Sequence, residues 1–80
     1  MPYIDQASRD SLAGGVTPIN PGELNYLITE ICFRYLKTKG ECYQHYNDIM
    51  GALEGAKLEL YRRQIAPYED VKIIENGDVY

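Results

Sequence analysis

Three groups of residues in this chain have the types and spacing to do chemistry. His45 has Glu41 four residues before it and Asp48 three after it. On a helix that spacing puts an imidazole and two carboxylates on one face, where they can ligate a metal or exchange a proton. One histidine organises little without further ligands, and the same spacing is the ordinary pattern of a solvated helix surface, which is the favoured reading. Arg62 and Arg63, with Tyr61 and Tyr68 nearby and Arg34 as a third cation, offer guanidinium forks and aromatic faces suited to a phosphate or a nucleobase. Against that anion site of Arg34, Arg62, Arg63 and Tyr68 stands a plainer reading. The two arginines complement a helix C-terminus and pair with Glu59 and Glu69. Cys32 and Cys42 fit neither a zinc spacing nor a disulfide framework. Cys32, two helical turns below Gly40, cannot easily meet Cys42 at the next helix start, so Cys32 reads as core and Cys42 as a surface thiol.

Nothing else in the sequence has catalytic form. No nucleophile sits with a base and an orienting residue, and neither Gly14-Gly15 nor Gly51-x-x-x-Gly55 has the context of a phosphate loop. The expectation is a protein that is not an enzyme, with no catalytic residues, no cofactor and no metal.

The elements that must position these residues are helical. Asn20-Pro21-Gly22-Glu23 is a start signal: asparagine caps, proline takes the first helical position, and the glutamate three residues on can bond back. Apolar residues then fall at Leu27, Ile28, Ile31, Cys32, Tyr35 and Leu36, and Gly40 follows Lys37 and Lys39, so the pattern predicts a helix over about 21–38. A second helix is predicted over about 43–65, with a stripe of Tyr46, Ile49, Met50, Leu53, Leu60 and Tyr61. Pro67 should end it and push Ala66 out of the helical region. The same proline can open a short third helix over about 67–76, closed by Asn76-Gly77. Residues 1–19 read as a weakly ordered arm or a short helix from Asp5 to Ala13, and residues 20–80 as the helical core of a single domain spanning 1–80. The fold class is all-α, a helical hairpin with a short C-terminal helix. At 1.5 Å per residue the two main helices would span roughly 27 and 35 Å. The far end of the second, at Tyr61 and Ile65, therefore needs a cover from residues 67–80 or from a second copy.

Composition limits the rest. Eighty residues make one core worth about 3–5 kcal/mol, so self-association is expected. Net charge is −4, and residues 67–80 set Glu69, Asp70, Glu75 and Asp78 against Lys72 alone, which makes nucleic acid a poor partner. No apolar run approaches the ~20 residues of a membrane span, and residues 1–19 lack the basic-then-apolar pattern of a secretory signal. The expected location is the cytoplasm.

Two surfaces stand out. Gly51, Ala52, Gly55 and Ala56 form a small-residue stripe inside the longest predicted helix, where each glycine costs roughly 1 kcal/mol against alanine. Such a stripe marks close approach of another backbone, either a second copy or a neighbouring segment of the same chain. Tyrosine is the compositional outlier, eight in eighty with no tryptophan and one phenylalanine. It suits half-buried sites and interface anchors. Tyr35, Tyr46 and Tyr61 fall on apolar faces, whereas Tyr26, Phe33, Tyr68 and Tyr80 lie outside them and are the candidate partner surface.

The run from Asn20-Pro21-Gly22-Glu23-Leu24-Asn25-Tyr26-Leu27-Ile28-Thr29, through Tyr43 with Asn47-Asp48-Ile49 and Gly51-Ala52-Leu53-Glu54-Gly55-Ala56-Lys57-Leu58-Glu59, to Tyr61-Arg62-Arg63, Ala66-Pro67-Tyr68-Glu69-Asp70 and Glu75-Asn76-Gly77-Asp78-Val79-Tyr80, resembles a family of small uncharacterised proteins of tailed phages and bacterial mobile elements. The resemblance covers about residues 20–80. It implies a phage or prophage origin and carries over no functional residues. The leading expectation is a non-enzymatic binding protein, homo-oligomeric, that engages a host or phage protein and blocks a host defence factor. The alternatives are a protein that sequesters a nucleotide-like anion, and an accessory protein of phage structure or assembly.

Overall fold

The structure is a computed structural model that describes residues 4–80. The part of the expected arm in residues 1–3, Tyr3 included, lies outside the described residues. Among the described residues four α-helices follow one another: α1 (Gln6–Ala13), α2 (Pro21–Lys39), α3 (Tyr43–Leu60) and α4 (Ala66–Asn76), with a π-helical turn, Tyr61–Ile65, between the last two. The fold is all-α. The chain divides into two compact units, Met1–His45 and Tyr46–Tyr80.

In the first unit, helix starts are fixed by side chains and helix ends by glycine backbone N–H groups. Asp5 caps α1 by accepting the Ser8 backbone N–H at 2.7 Å. This hydrogen bond holds the Asp5 carboxyl below its ordinary value, with the Ser8 hydroxyl and Arg9 acting in the same direction. Residues 6–13 thus adopt the short helix of the two expected forms, and Gly14 ends it. Asn20 caps α2 through the Glu23 N–H at 2.8 Å. Glu23 reaches back one residue further than a capping box requires, accepting the Ile19 N–H at 3.2 Å. α1 packs on α2 and buries Leu12. At the other end of α2 the Gly40 N–H caps the Leu36 carbonyl at 2.6 Å with φ +90°, a conformation that costs a residue bearing Cβ about 1–2 kcal/mol.

The second unit departs from expectation at the proline. Ala66 does not leave the helical region: it sits at φ −60°, ψ −46°, and its N–H bonds to the Tyr61 carbonyl five residues back. In a regular helix the Pro67 ring would strike the carbonyl of Arg63 and leave it without a donor. Widening the preceding turn to π geometry accommodates the ring, so α3, the π turn and α4 follow one another with no non-helical residue between them. The helix ends where expected, at Gly77, whose N–H caps Ile73 at 2.8 Å with φ +83°.

Burial is sparse. Leu12 and Ile49 are the buried apolar residues among those described. In the second unit Met50, Leu58, Leu60, Tyr68 and Ile74 are all exposed. A helix with so little of its apolar surface covered draws scant stability from packing, which supplies most helical stability in water.

Candidate functional site

His45 is placed by the end of α2. Its Nδ1 lies 2.7 Å from the Gly40 carbonyl oxygen, so Nδ1 carries the proton and donates to that carbonyl. Its ring meets Tyr35 edge-on, centroids 6.3 Å apart and planes at 88°. The imidazole is half-buried and bonded to the backbone. Sequence spacing on one helix missed this contact because Gly40 lies outside the helix that carries His45. Among the described residues no group of three His, Cys, Asp or Glu side chains is placed to hold a metal. Cys32 is half-buried and Cys42 exposed, both as free thiols.

The arginine cluster takes its plainer form. Glu59 accepts from Arg62 at 2.6 Å and also from Arg63. These bonds, Arg63's first, hold the Glu59 carboxyl below its ordinary value. Glu69 does not meet the arginines. It accepts the Tyr61 hydroxyl at 2.5 Å, which raises the phenol above its ordinary value. The Tyr68 ring carries the Lys72 ammonium 5.6 Å from its centroid. Of the candidate anion residues, Arg62, Arg63 and Tyr68 belong to the second unit and are already engaged by neighbours in the same unit.

Arg34 belongs to the first unit, where it lines a groove of about 160 Å³ together with Leu12, Ala13, Tyr26, Leu27 and Glu30. Tyr26 is half-buried and lines this groove together with Leu12 and Ala13 of α1. Seeing this from the sequence required knowing that α1 packs on α2. Small-molecule sites have volumes of ≈ 300–1,000 Å³, so this groove is closer to the size of one side chain than of a nucleotide.

Phe33 is 56% exposed in the first unit, and Tyr80 is fully exposed in the second. Gly51, Ala52, Gly55 and Ala56 are all exposed, and a Cβ built on Gly51 or Gly55 meets nothing within 4 Å. No described neighbour approaches either glycine. No described helix is long and apolar enough to cross a membrane.

These features define a small all-α protein whose polar groups mostly cap and brace its own helices. It belongs to the family described as a domain of unknown function (DUF6899), which matches residues 1–79. The match thus takes in the N-terminal segment that the motif resemblance, beginning near residue 20, did not cover. No curated protein and no solved structure matches the chain.

Proposed function

We propose that this protein is a non-enzymatic interaction protein that works as a homo-oligomer in the cytoplasm and engages a protein partner through exposed aromatic residues. The observation that carries the reading is the open glycine stripe: Gly51 and Gly55 weaken α3, yet among the described residues of their own unit nothing lies within 4 Å of where a Cβ would stand. A helix that accepts such weakening without a contact there has a use for that surface elsewhere. Exposed Phe33, Tyr68 and Tyr80 add amphipathic anchors of the type that interfaces favour. Engagement of His45 by a backbone carbonyl, and of Arg62 and Arg63 by Glu59, favours this reading over catalysis or anion sequestration. A phage setting, with a host defence factor as the blocked target, rests on the motif resemblance.

Native mass spectrometry over a range of concentrations is the direct test. A stable oligomer, and a co-purifying protein lost on Tyr68→Ala or Tyr80→Ala, are the expected results. A monomer at every concentration would remove the oligomeric part, and a nucleotide-sized mass retained on each subunit would put sequestration first.

A further inference from the structure

The chain contains four asparagines, Asn20, Asn25, Asn47 and Asn76. They differ in the residue that follows and in what holds them. An asparagine modifies itself when the backbone nitrogen of the next residue reaches its side-chain carbonyl carbon. Asn20 precedes Pro21, whose nitrogen carries no hydrogen, and its side-chain oxygen accepts the Glu23 N–H at 2.8 Å. Asn25 and Asn47 lie inside α2 and α3, where the helical ladder engages the N–H of the following residue. Asn76 is different. It is the last residue of α4, it is exposed, and Gly77 follows it. Gly77 has no Cβ to shield its nitrogen, and a Cβ built there meets nothing within 4 Å among the described residues of its unit. One hydrogen bond opposes the reaction, from the Gly77 N–H to the Ile73 carbonyl at 2.8 Å. It sits in the terminal turn of a helix, where opening costs least. Ile73 and Ile74 in that turn are both exposed, so apolar packing does little to hold it closed.

We propose that Asn76 is a site of spontaneous deamidation and that its products loosen the end of α4. When the terminal turn opens, the Gly77 backbone nitrogen gives up its proton and attacks Asn76 Cγ. The bond from Cγ to the side-chain nitrogen breaks, and that nitrogen takes up a proton and leaves as ammonia. One water then opens the cyclic imide. Attack at the side-chain carbonyl gives aspartate, and attack at the main-chain carbonyl of residue 76 gives isoaspartate. Water is the only other reactant. Either product sets a carboxylate against the free carbonyls at the negative end of the helix dipole, between Glu75 and Asp78. Lys72, the single cation after Pro67, is already paired with Glu75 at 3.1 Å, so the new charge finds no cation beside it in this segment. Isoaspartate also lengthens the main chain by one carbon between residues 76 and 77. That displaces Gly77 from its bond to Ile73 and removes the cap.

The test is a warm incubation of the full chain at neutral pH, sampled over time by peptide mass mapping, with circular dichroism reporting helix content. The peptide holding Asn76 is expected to gain the mass of an amide exchanged for an acid, as two separable isomers. It should do so at least tenfold faster than the peptides holding Asn20, Asn25 and Asn47. Helix content should fall in step with the modified fraction. Gly77→Ala should slow the reaction at least tenfold, because a methyl group then stands beside the attacking nitrogen. If that variant loses helix through its positive φ, Asn76→Gln serves instead. It leaves Gly77 in place but would need a larger ring, so the modification at residue 76 should disappear. A native chain in which Asn76 reacts no faster than the helical Asn25 and Asn47 would overturn the proposal, since the cap would then protect it fully. A single aspartate product, with no isoaspartate, would overturn the cyclic route. Modified chain with unchanged helix content would overturn the loosening of α4.

Discussion

The Tyr61 hydroxyl donates to the Glu69 carboxylate across 2.5 Å, joining the first residue of the π turn to the first full turn of α4. The bond brackets Pro67, the residue that forces the helix to widen, and requires a neutral phenol and an ionised carboxylate. Glu69 raises the Tyr61 pKa, first by this hydrogen bond and then by its charge. A raised folded-state value means that the linked stability is fully present below the ordinary tyrosine value and is lost as pH rises through the raised one. Tyr61→Phe should therefore remove part of the loss of helix seen on alkaline titration above about pH 10. Circular dichroism of the two proteins side by side checks this, and parallel alkaline curves would count against it.

Glu59 predicts the opposite limb. Arg63 and then Arg62 hold its carboxyl below the ordinary glutamate value. The linked stability is present above the unfolded-state value and is lost as pH falls through the depressed folded-state one. Glu59→Gln should lower stability near neutrality and lose less of it on acidification, so the two melting curves converge at low pH. Because the pair is solvent-exposed, 0.5 M salt should shrink the neutral-pH difference.

The bond between His45 and the Gly40 carbonyl fixes the connection from α2 to α3. His45→Ala should cost about 1 kcal/mol, the ordinary net worth of one such hydrogen bond. Gly40→Ala should cost about 1–2 kcal/mol because of the positive φ at that position. Urea unfolding of each variant measures both. A smaller loss for Gly40→Ala than for His45→Ala would show that the cap is not held at positive φ in solution.

Which of these features could be read from the sequence follows from how local each signal is. Asn20 and Glu23 at the start of α2, Gly40 at its end and Gly77 at the end of α4 act through neighbours within a few residues, and the residue types alone indicate them. Pairing of Glu59 with Arg63 was likewise visible as an i, i+4 spacing. The π turn was not visible, because Pro67 signals a break equally well whether the chain leaves the helix or widens it. Nor was the groove holding Tyr26 and Arg34, which exists only once α1 packs on α2.

The two thiols should be distinguishable. Cys42 is exposed just before α3, and Cys32 is half-buried in α2. A thiol reagent added to the native protein should label Cys42 first, and labelling of Cys32 should accelerate in denaturant. Peptide mass mapping after a short exposure identifies the site. Equal rates in the native protein would mean that the α2 face around Cys32 opens readily.

Gly55 separates helix propensity from association. Among the described residues of its unit, no atom outside its own helix backbone lies within 4 Å of the position a Cβ would take, so substitution meets no obstacle there. Gly55→Ala should raise the stability of the isolated chain by up to about 1 kcal/mol through helix propensity alone. Gly55→Leu should also keep its helix content, but a branched side chain there holds an approaching backbone away. If the stripe faces a second copy, leucine weakens the oligomer while leaving the chain folded. Concentration-dependent native mass spectrometry paired with thermal melts resolves the two effects. Unfolding by Gly55→Leu at low concentration would instead place a segment of the same chain against the stripe.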